Sequence, residues 1–336
     1  MIYVPELRAA LFCGSGPHGL VKKDGHYMDD IWAYDINAHR WVCAYPGANV
    51  KTLKLKLDEH GFEVNERGEH VPVAYIGHGY NHLIYVPQLH KLMILHTFDP
   101  WWKRAIPQRN EWLGVPPEKH GDAYSQGKLN LRFCDPILFD IATCTFERRF
   151  VSGKAPASQD YGVLEYIPAR KQAFLFHGGA VWYYDFEANT WTHSGAKRLG
   201  LSYDQNGCYD SKRNRLYVMK GKLGFWAFDV NANEWVKIDA EGQPKDLGGS
   251  NHGTLTYDPA GDVLLWHRKG GAGILAYDIQ KNRWRATAPP PKVNWRHKQL
   301  HGFYDPELNA HFYYLAGDGD PKGFMLGYRH KRTEER

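Results

Sequence analysis

The sequence predicts an all-β fold, a β-propeller of four-stranded antiparallel blades, with six blades as the count and seven as the alternative. Three observations predict it: composition, a repeated aromatic-Asp…aromatic unit, and a tyrosine-closed strand ahead of each unit. The chain is 14% aromatic and carries 34 glycines, so short aromatic runs are punctuated by turn residues, which suits strands better than helices. At 43% hydrophobic, its 336 residues can bury a sizeable core in one domain, 1–336.

The repeat sets the blades in order. Its unit reads aromatic, Asp, five residues, then Trp or Phe: Tyr34-Asp35 to Trp41, Phe139-Asp140 to Phe146, Tyr184-Asp185 to Trp191, Phe228-Asp229 to Trp235 and Tyr277-Asp278 to Trp284. The later copies are 45, 44 and 49 residues apart, the period of a four-stranded blade at about 40–50 residues. Ahead of each unit a tyrosine closes a short run: Tyr3, Tyr85, Tyr166, Tyr209, Tyr257 and Tyr304. Turn residues follow, as in Asp258-Pro259 and Asp305-Pro306, and then an apolar run such as Leu92 to Leu95 or Ala173 to Phe176. Each blade therefore has a first strand ending near the tyrosine, an apolar second strand, a third with the aromatic-Asp pair and a fourth with the tryptophan. The sixth unit, through Gly327-Tyr328-Arg329, lacks the Asp and Trp, so its fourth strand is the weakest element. These units resemble kelch and galactose-oxidase-type propeller repeats, with the double glycine kept as Gly178-Gly179 and Gly270-Gly271.

Two segments break the period. Residues 48–71 contain a hairpin-like stretch from Leu55 to Val64, and 97–130 carry Trp101, Trp102, Lys103, Arg104, Arg109 and Trp112. In a meander, both fall on the face shared by the loops joining strand 2 to 3 and strand 4 to the next strand 1. Long loops on a rigid scaffold usually carry function. Repeat positions aimed at this face are polar. Eleven residues after the marker tyrosines stand His96, His177, Lys220 and Arg268. On the inner strands, at positions of one parity, stand His78, Tyr80, His82, Tyr161, Asn206, His252 and His301. A purely structural repeat would fill them with small or apolar residues.

Bulk charge and motifs narrow the chemistry. A net charge of +5 with 18 histidines is a mild basic excess, suited to an anionic partner but not to nucleic acid. Five cysteines without CxxC spacing argue against a disulfide framework or zinc ribbon and predict mostly buried free thiols. No stretch is apolar enough for a membrane helix and no signal-peptide pattern is visible. There is no nucleophile elbow, P-loop or dinucleotide motif, and carboxylates are sparse on the polar face apart from Asp204 and Asp160. Imidazole, phenol and fixed cations remain, which are proton-transfer and anion-binding groups.

That inventory fits β-elimination on a uronic-acid polysaccharide, in which a cation neutralises the carboxylate while His or Tyr moves protons. The arrangement resembles the propeller-fold ulvan lyases and, more loosely, the oligogalacturonate lyases. The resemblance implies catalytic roles for His82 (or His78), His96 and Tyr161, with His177 where those enzymes carry an arginine. His78, Tyr80, Asn206, Lys220, His252, Arg268, His301, Trp101 and Trp102 are then expected to bind substrate. No cofactor is required, although a divalent metal (Zn, Ca or Mn) on His78, His82, His252 and His301 is compatible. A monomer meeting an anionic polysaccharide, secreted or periplasmic, is expected. Two other classes fit the same face: a non-catalytic glycan- or protein-binding propeller, and a His-ligated metalloenzyme.

Overall fold

The structure, a computed structural model, describes residues 1–13, 30–49, 52–54, 56–59, 63–71, 82–95, 135–156, 162–200, 206–245, 247, 253–268, 273–287, 300–317 and 320–330. It is all-β, and its sheets are the blades of a six-bladed β-propeller. The first blade is β1 (Ile2–Val4), β2 (Ala9–Cys13), β3 (Ile31–Asp35) and β4 (Arg40–Tyr45); β5 (Lys56–Leu57) and β6 (Glu63–Val64) form a separate hairpin. The second is β7 (Leu83–Val86), β8 (Lys91–Ile94), β9 (Ile137–Asp140) and β10 (Thr145–Arg148). The third is β11 (Val163–Ile167), β12 (Gln172–His177), β13 (Ala180–Asp185) and β14 (Thr190–His193), and the fourth β15 (Asn206–Asp210), β16 (Arg215–Met219), β17 (Phe225–Asp229) and β18 (Glu234–Ile238). The fifth is β19 (Gly253–Asp258), β20 (Val263–Arg268), β21 (Ile274–Asp278) and β22 (Arg283–Ala286). The sixth has three strands among the described residues, β23 (Leu300–Asp305), β24 (Ala310–Gly317) and β25 (Asp320–Tyr328). Each sheet runs in sequence order, the meander the markers predict.

Local chemistry explains why the markers recur. The aromatic of each unit sits opposite the Trp or Phe across a four-residue turn, as in Tyr34↔Trp41, Phe139↔Phe146, Phe228↔Trp235 and Tyr277↔Trp284. Ring centroids in the five blades lie 4.9–5.4 Å apart, a contact contributing about 1 kcal/mol beyond its buried area. The Asp shapes the turn. Oδ1 of Asp35, Asp140, Asp185, Asp229 and Asp278 accepts the N–H groups two and three residues on. The turn then passes through a left-handed residue, His39, Cys144, Asn189, Asn233 or Asn282. First-strand tyrosines act alike at the other turn: Tyr209, Tyr257 and Tyr304 donate to Asn214, Asp262 and Asn309, five residues on.

The chain divides into two compact units. One contains residues 2–160 and 184–192. Its core lies between the first two blades, with Val4, Leu11 and Ile31 against Leu92, Ile94 and Phe139. The expected hairpin within 48–71 is present as β5–β6. This insert lies along the outer strand β10: His70 bridges Phe146, its Nδ1 accepts Arg148 N–H at 3.0 Å, and its Nε2 lies 3.1 Å from Asp58 Oδ2.

The other unit contains residue 1, 161–183 and 193–336. Its inner strands β11, β15, β19 and β23 are neighbours in order, with three interblade cores. The first packs Val163, Phe174 and Phe176 on Leu216, Val218 and Phe228. The second joins Tyr217, Met219 and Phe225 to Leu255, Trp266 and Trp284, and the third sets Val263 and Leu265 against Tyr313. Polar ties reinforce them. Arg213 is bidentate to Asp262 at 2.7 Å and bonds Asp210 at 2.9 Å, so the carboxyl of Asp262 is held well below its ordinary range. Thr256 Oγ1 lies 2.9 Å from His311 Nδ1, whose Nε2 is 3.5 Å from Asp258.

The four described cysteines are free, as expected, but only Cys13 and Cys208 are buried; Cys43 and Cys144 are exposed. Among the described residues no helix is long and apolar enough to cross a membrane.

Candidate anion-binding site

Of the residues expected to form the site, His78, Tyr80, His96, Trp101, Trp102, Tyr161 and His252 lie outside the described residues, as does the 97–130 insertion. His82 is fully buried just ahead of β7, where its carbonyl accepts Leu95 N–H at 3.0 Å. His177, Asn206, Lys220, Arg268 and His301 belong to the unit formed by residues 1, 161–183 and 193–336.

Four of those five form a chain of neighbours. His177 ends β12 and Arg268 ends β20, while Lys220 follows the last residue of β16. The equivalence is repeat-based: each sits eleven residues after its marker tyrosine. The turn after His177 is Gly178-Gly179, with φ of 58° and 78°, the left-handed pair of a tight hairpin. Glycine is required at 179 for a second reason. A Cβ there would meet Leu199 O at 1.9 Å, because Leu199 N–H donates to Gly179 O at 2.9 Å. The next residue, Gly200, offers its carbonyl to the Lys220 ammonium. Lys220 Nζ also lies 4.7 Å from the ring centroid of Phe176, the residue before His177.

Lys220 is 1% exposed. Among the described residues its amine meets a carbonyl and an aromatic face but no carboxylate. Burial therefore pushes it down to about 8, with no opposing charge to restore it. At neutral pH it is a desolvated cation, a state that is costly without an anionic partner.

The chain of neighbours continues outward from Lys220. Asn206 pairs with Met219, the residue before Lys220. Its Nδ2 donates to Gly253 O at 2.5 Å and its Oδ1 accepts Leu255 N–H at 3.4 Å. Gly253 in turn pairs with Arg268, whose guanidinium lies 5.8 Å from the Trp266 ring centroid. Asn206, expected to touch substrate, thus uses its amide to join the inner strands of blades four and five. His301 is half-buried, and desolvation of its ring, with a smaller contribution from the N-terminal charge, lowers it to about 3. It stands as neutral imidazole at physiological pH and adds no positive charge.

Sequence reasoning missed the neutral His267, held at about 4 by burial and stacked 4.6 Å from Tyr313. The signal was its place one residue before Arg268 on an otherwise apolar strand. It also missed a cavity beside the 48–71 insert. Among the described residues no group of three or more His, Cys, Asp or Glu is arranged to hold a metal.

No protein-family model matches the chain, and no curated protein matches it. Similar solved structures include a Bacteroides thetaiotaomicron protein of unknown function, with 10% identity and a TM-score of 0.45 over 88% of this chain and 66% of that one. Another is the extracellular domain of a hybrid two-component system from the same organism, with 12% identity and a TM-score of 0.44 over 88% of this chain and 31% of that one. A third is an oligogalacturonate lyase in complex with manganese, with 13% identity and a TM-score of 0.38 over 58% of this chain and 56% of that one. The chain spans less than two thirds of the length of each of these structures. At these scores the likenesses carry no functional argument, and the fold rests on the sheets themselves.

Proposed function

We propose that this propeller binds an anionic, uronic-acid-containing polysaccharide and cleaves it by β-elimination. One observation supports the reading most: the second-strand ends of three consecutive blades carry His177, Lys220 and Arg268, with Lys220 buried and facing no carboxylate among the described residues. A buried cation in that setting favours an anionic ligand, since a carboxylate would offset its desolvation. Neutralising the uronate acidifies the proton beside it.

In the reaction, a base removes the C5 proton and its electrons form the C4=C5 double bond. The C4–O bond breaks, and an acid protonates the departing oxygen. Tyr161 and His96 are the proposed proton carriers, with His82 and His177 assisting. Lys220 and Arg268 supply positive charge to the carboxylate. No cofactor is required by this chemistry.

The test is ultraviolet absorbance of unsaturated uronate on mixing the protein with ulvan, alginate, pectate and glycosaminoglycans. The proposal expects a rise on at least one, abolished in Tyr161→Phe and His96→Ala with folding intact. Flat traces on all four, together with retained binding to one, would leave the non-catalytic glycan-binding reading. Unchanged rates in both variants would remove the assignment of the proton carriers.

A further inference from the structure

Three of the five described outer turns share one hydrogen bond to the preceding blade, while two, at His39 and Cys144, carry no asparagine. In three blades the left-handed residue of the outer turn is an asparagine. Its amide donates to the carbonyl just past the preceding blade's outer strand: Asn189 to Phe150 O at 2.6 Å, Asn233 to Ser194 O at 2.8 Å and Asn282 to Asp239 O at 2.9 Å. In the second blade this residue is Cys144, held at φ 55°. Its thiol has no amide to offer and instead lies 3.9 Å from Ile141 O in its own turn.

Cys144 also lines a cavity of about 320 Å³. Cys144 and Phe146 line one side of it, Tyr45 and Gly47 at the end of the first blade's outer strand line another, and the 48–71 insert adds Asn49 and Glu69. His70 is a fixed wall. Its Nδ1 accepts Arg148 N–H, so its proton is on Nε2, facing Asp58. The volume falls at the lower end of small-molecule sites, about 300–1,000 Å³.

We propose that this cavity binds a small molecule bearing a primary amino group. The junctions at Asn189, Asn233 and Asn282 place an –NH₂ donor at the corresponding point. Here an –SH replaces the amide, and among the described residues the wall carries the Glu69 carboxylate, which accepts Asn65 Nδ2 at 2.7 Å, and neither lysine nor arginine. The occupant must donate hydrogen bonds and must not be an anion. The insert departs from the repeat and lines a half-open pocket together with residues of the first two blades. Cys144 and the insert thus form one device.

Cys144 provides the readout. Its exposed thiol can be alkylated by iodoacetamide and followed by peptide mass mapping, with the exposed Cys43, outside the cavity lining, as internal control. The probes are glucosamine, n-butylamine and, as an anion of similar size, glucuronate. The proposal expects an amine probe to slow Cys144 labelling by about tenfold at ten times its Kd, leaving Cys43 unchanged. Glucuronate should have no effect. Cys144→Asn should raise the unfolding midpoint, because asparagine accepts the left-handed conformation more readily and restores the amide. It should also remove the thermal shift produced by the amine. Glu69→Gln should keep the midpoint and lose the amine effect. The proposal is overturned if neither amine protects Cys144, if glucuronate protects equally, or if both variants retain the amine-induced shift.

Discussion

At the scale of single residues, Lys220 combines burial, a cationic head and a repeat-equivalent position, and so has the most specific consequences. Its folded pKa of about 8 lies below the ordinary 10.5. The unfolded chain therefore holds more protons between those values, and stability rises with pH across that window. Below it the buried charge costs up to about 3 kcal/mol. Lys220→Met should thus raise the urea midpoint most near neutrality, with the gain shrinking as the pH passes about 10. A gain independent of pH would mean that the amine is not desolvated. Asn206 makes the contrasting case. Both ends of its amide serve the neighbouring inner strand, so Asn206→Ala should cost about 2 kcal/mol of stability. The change should leave the binding stoichiometry of an oligouronate untouched. None of this is visible from residue type. Sequence parity marks which side chains share a face, but the partner of an amide depends on how closely two blades approach.

At the scale of elements, the turns are where sequence and structure agree most closely. The aromatic-Asp…Trp spacing has a local cause, a cross-strand ring pair closed by an Asp-shaped turn, so it survives as a readable pattern in five blades. The sixth blade lacks both markers and has three strands among the described residues. There the sequence offers no turn chemistry from which a fourth strand could be argued. The hairpin within 48–71 was legible as a break in the repeat, but its packing along β10 was not, because that depends on His70 meeting Asp58 and the Arg148 backbone. The Gly179 turn organises the candidate site at this scale. Gly179→Ala forces a Cβ into Leu199 O at a left-handed φ and should cost at least about 2 kcal/mol in urea unfolding. It should weaken oligouronate binding as well, by moving Gly200 away from Lys220. Loss of stability with full binding would show that the turn does not position the lysine.

At the scale of the molecule, the fold was legible because repetition multiplies a weak local signal, whereas the site is assembled from single residues of different blades. Half of its expected catalytic set, Tyr161 and His96, lies outside the described residues. Two desolvated neutral imidazoles, the buried His267 and the half-buried His301, give the protein a pH signature. Desolvation lowers His267 to about 4 and His301 to about 3, from 6.5. Below pH 6.5 the unfolded chain binds protons that the folded chain refuses, so stability falls on acidification. The urea midpoint should drop between about pH 7 and about pH 5, and less so in His267→Phe, which keeps a ring against Tyr313. The proposed function requires that positively charged groups at the ends of second strands receive an anionic sugar. The most direct test is calorimetric titration of a uronate oligosaccharide into the wild-type protein and Lys220→Met at neutral pH. Binding to the wild type is expected, weakened about tenfold or more by the substitution, since a bond to a charged group contributes about 1.5–3 kcal/mol. Equal affinity for the two proteins, or equal affinity of the wild type for an uncharged oligosaccharide of the same length, would contradict it.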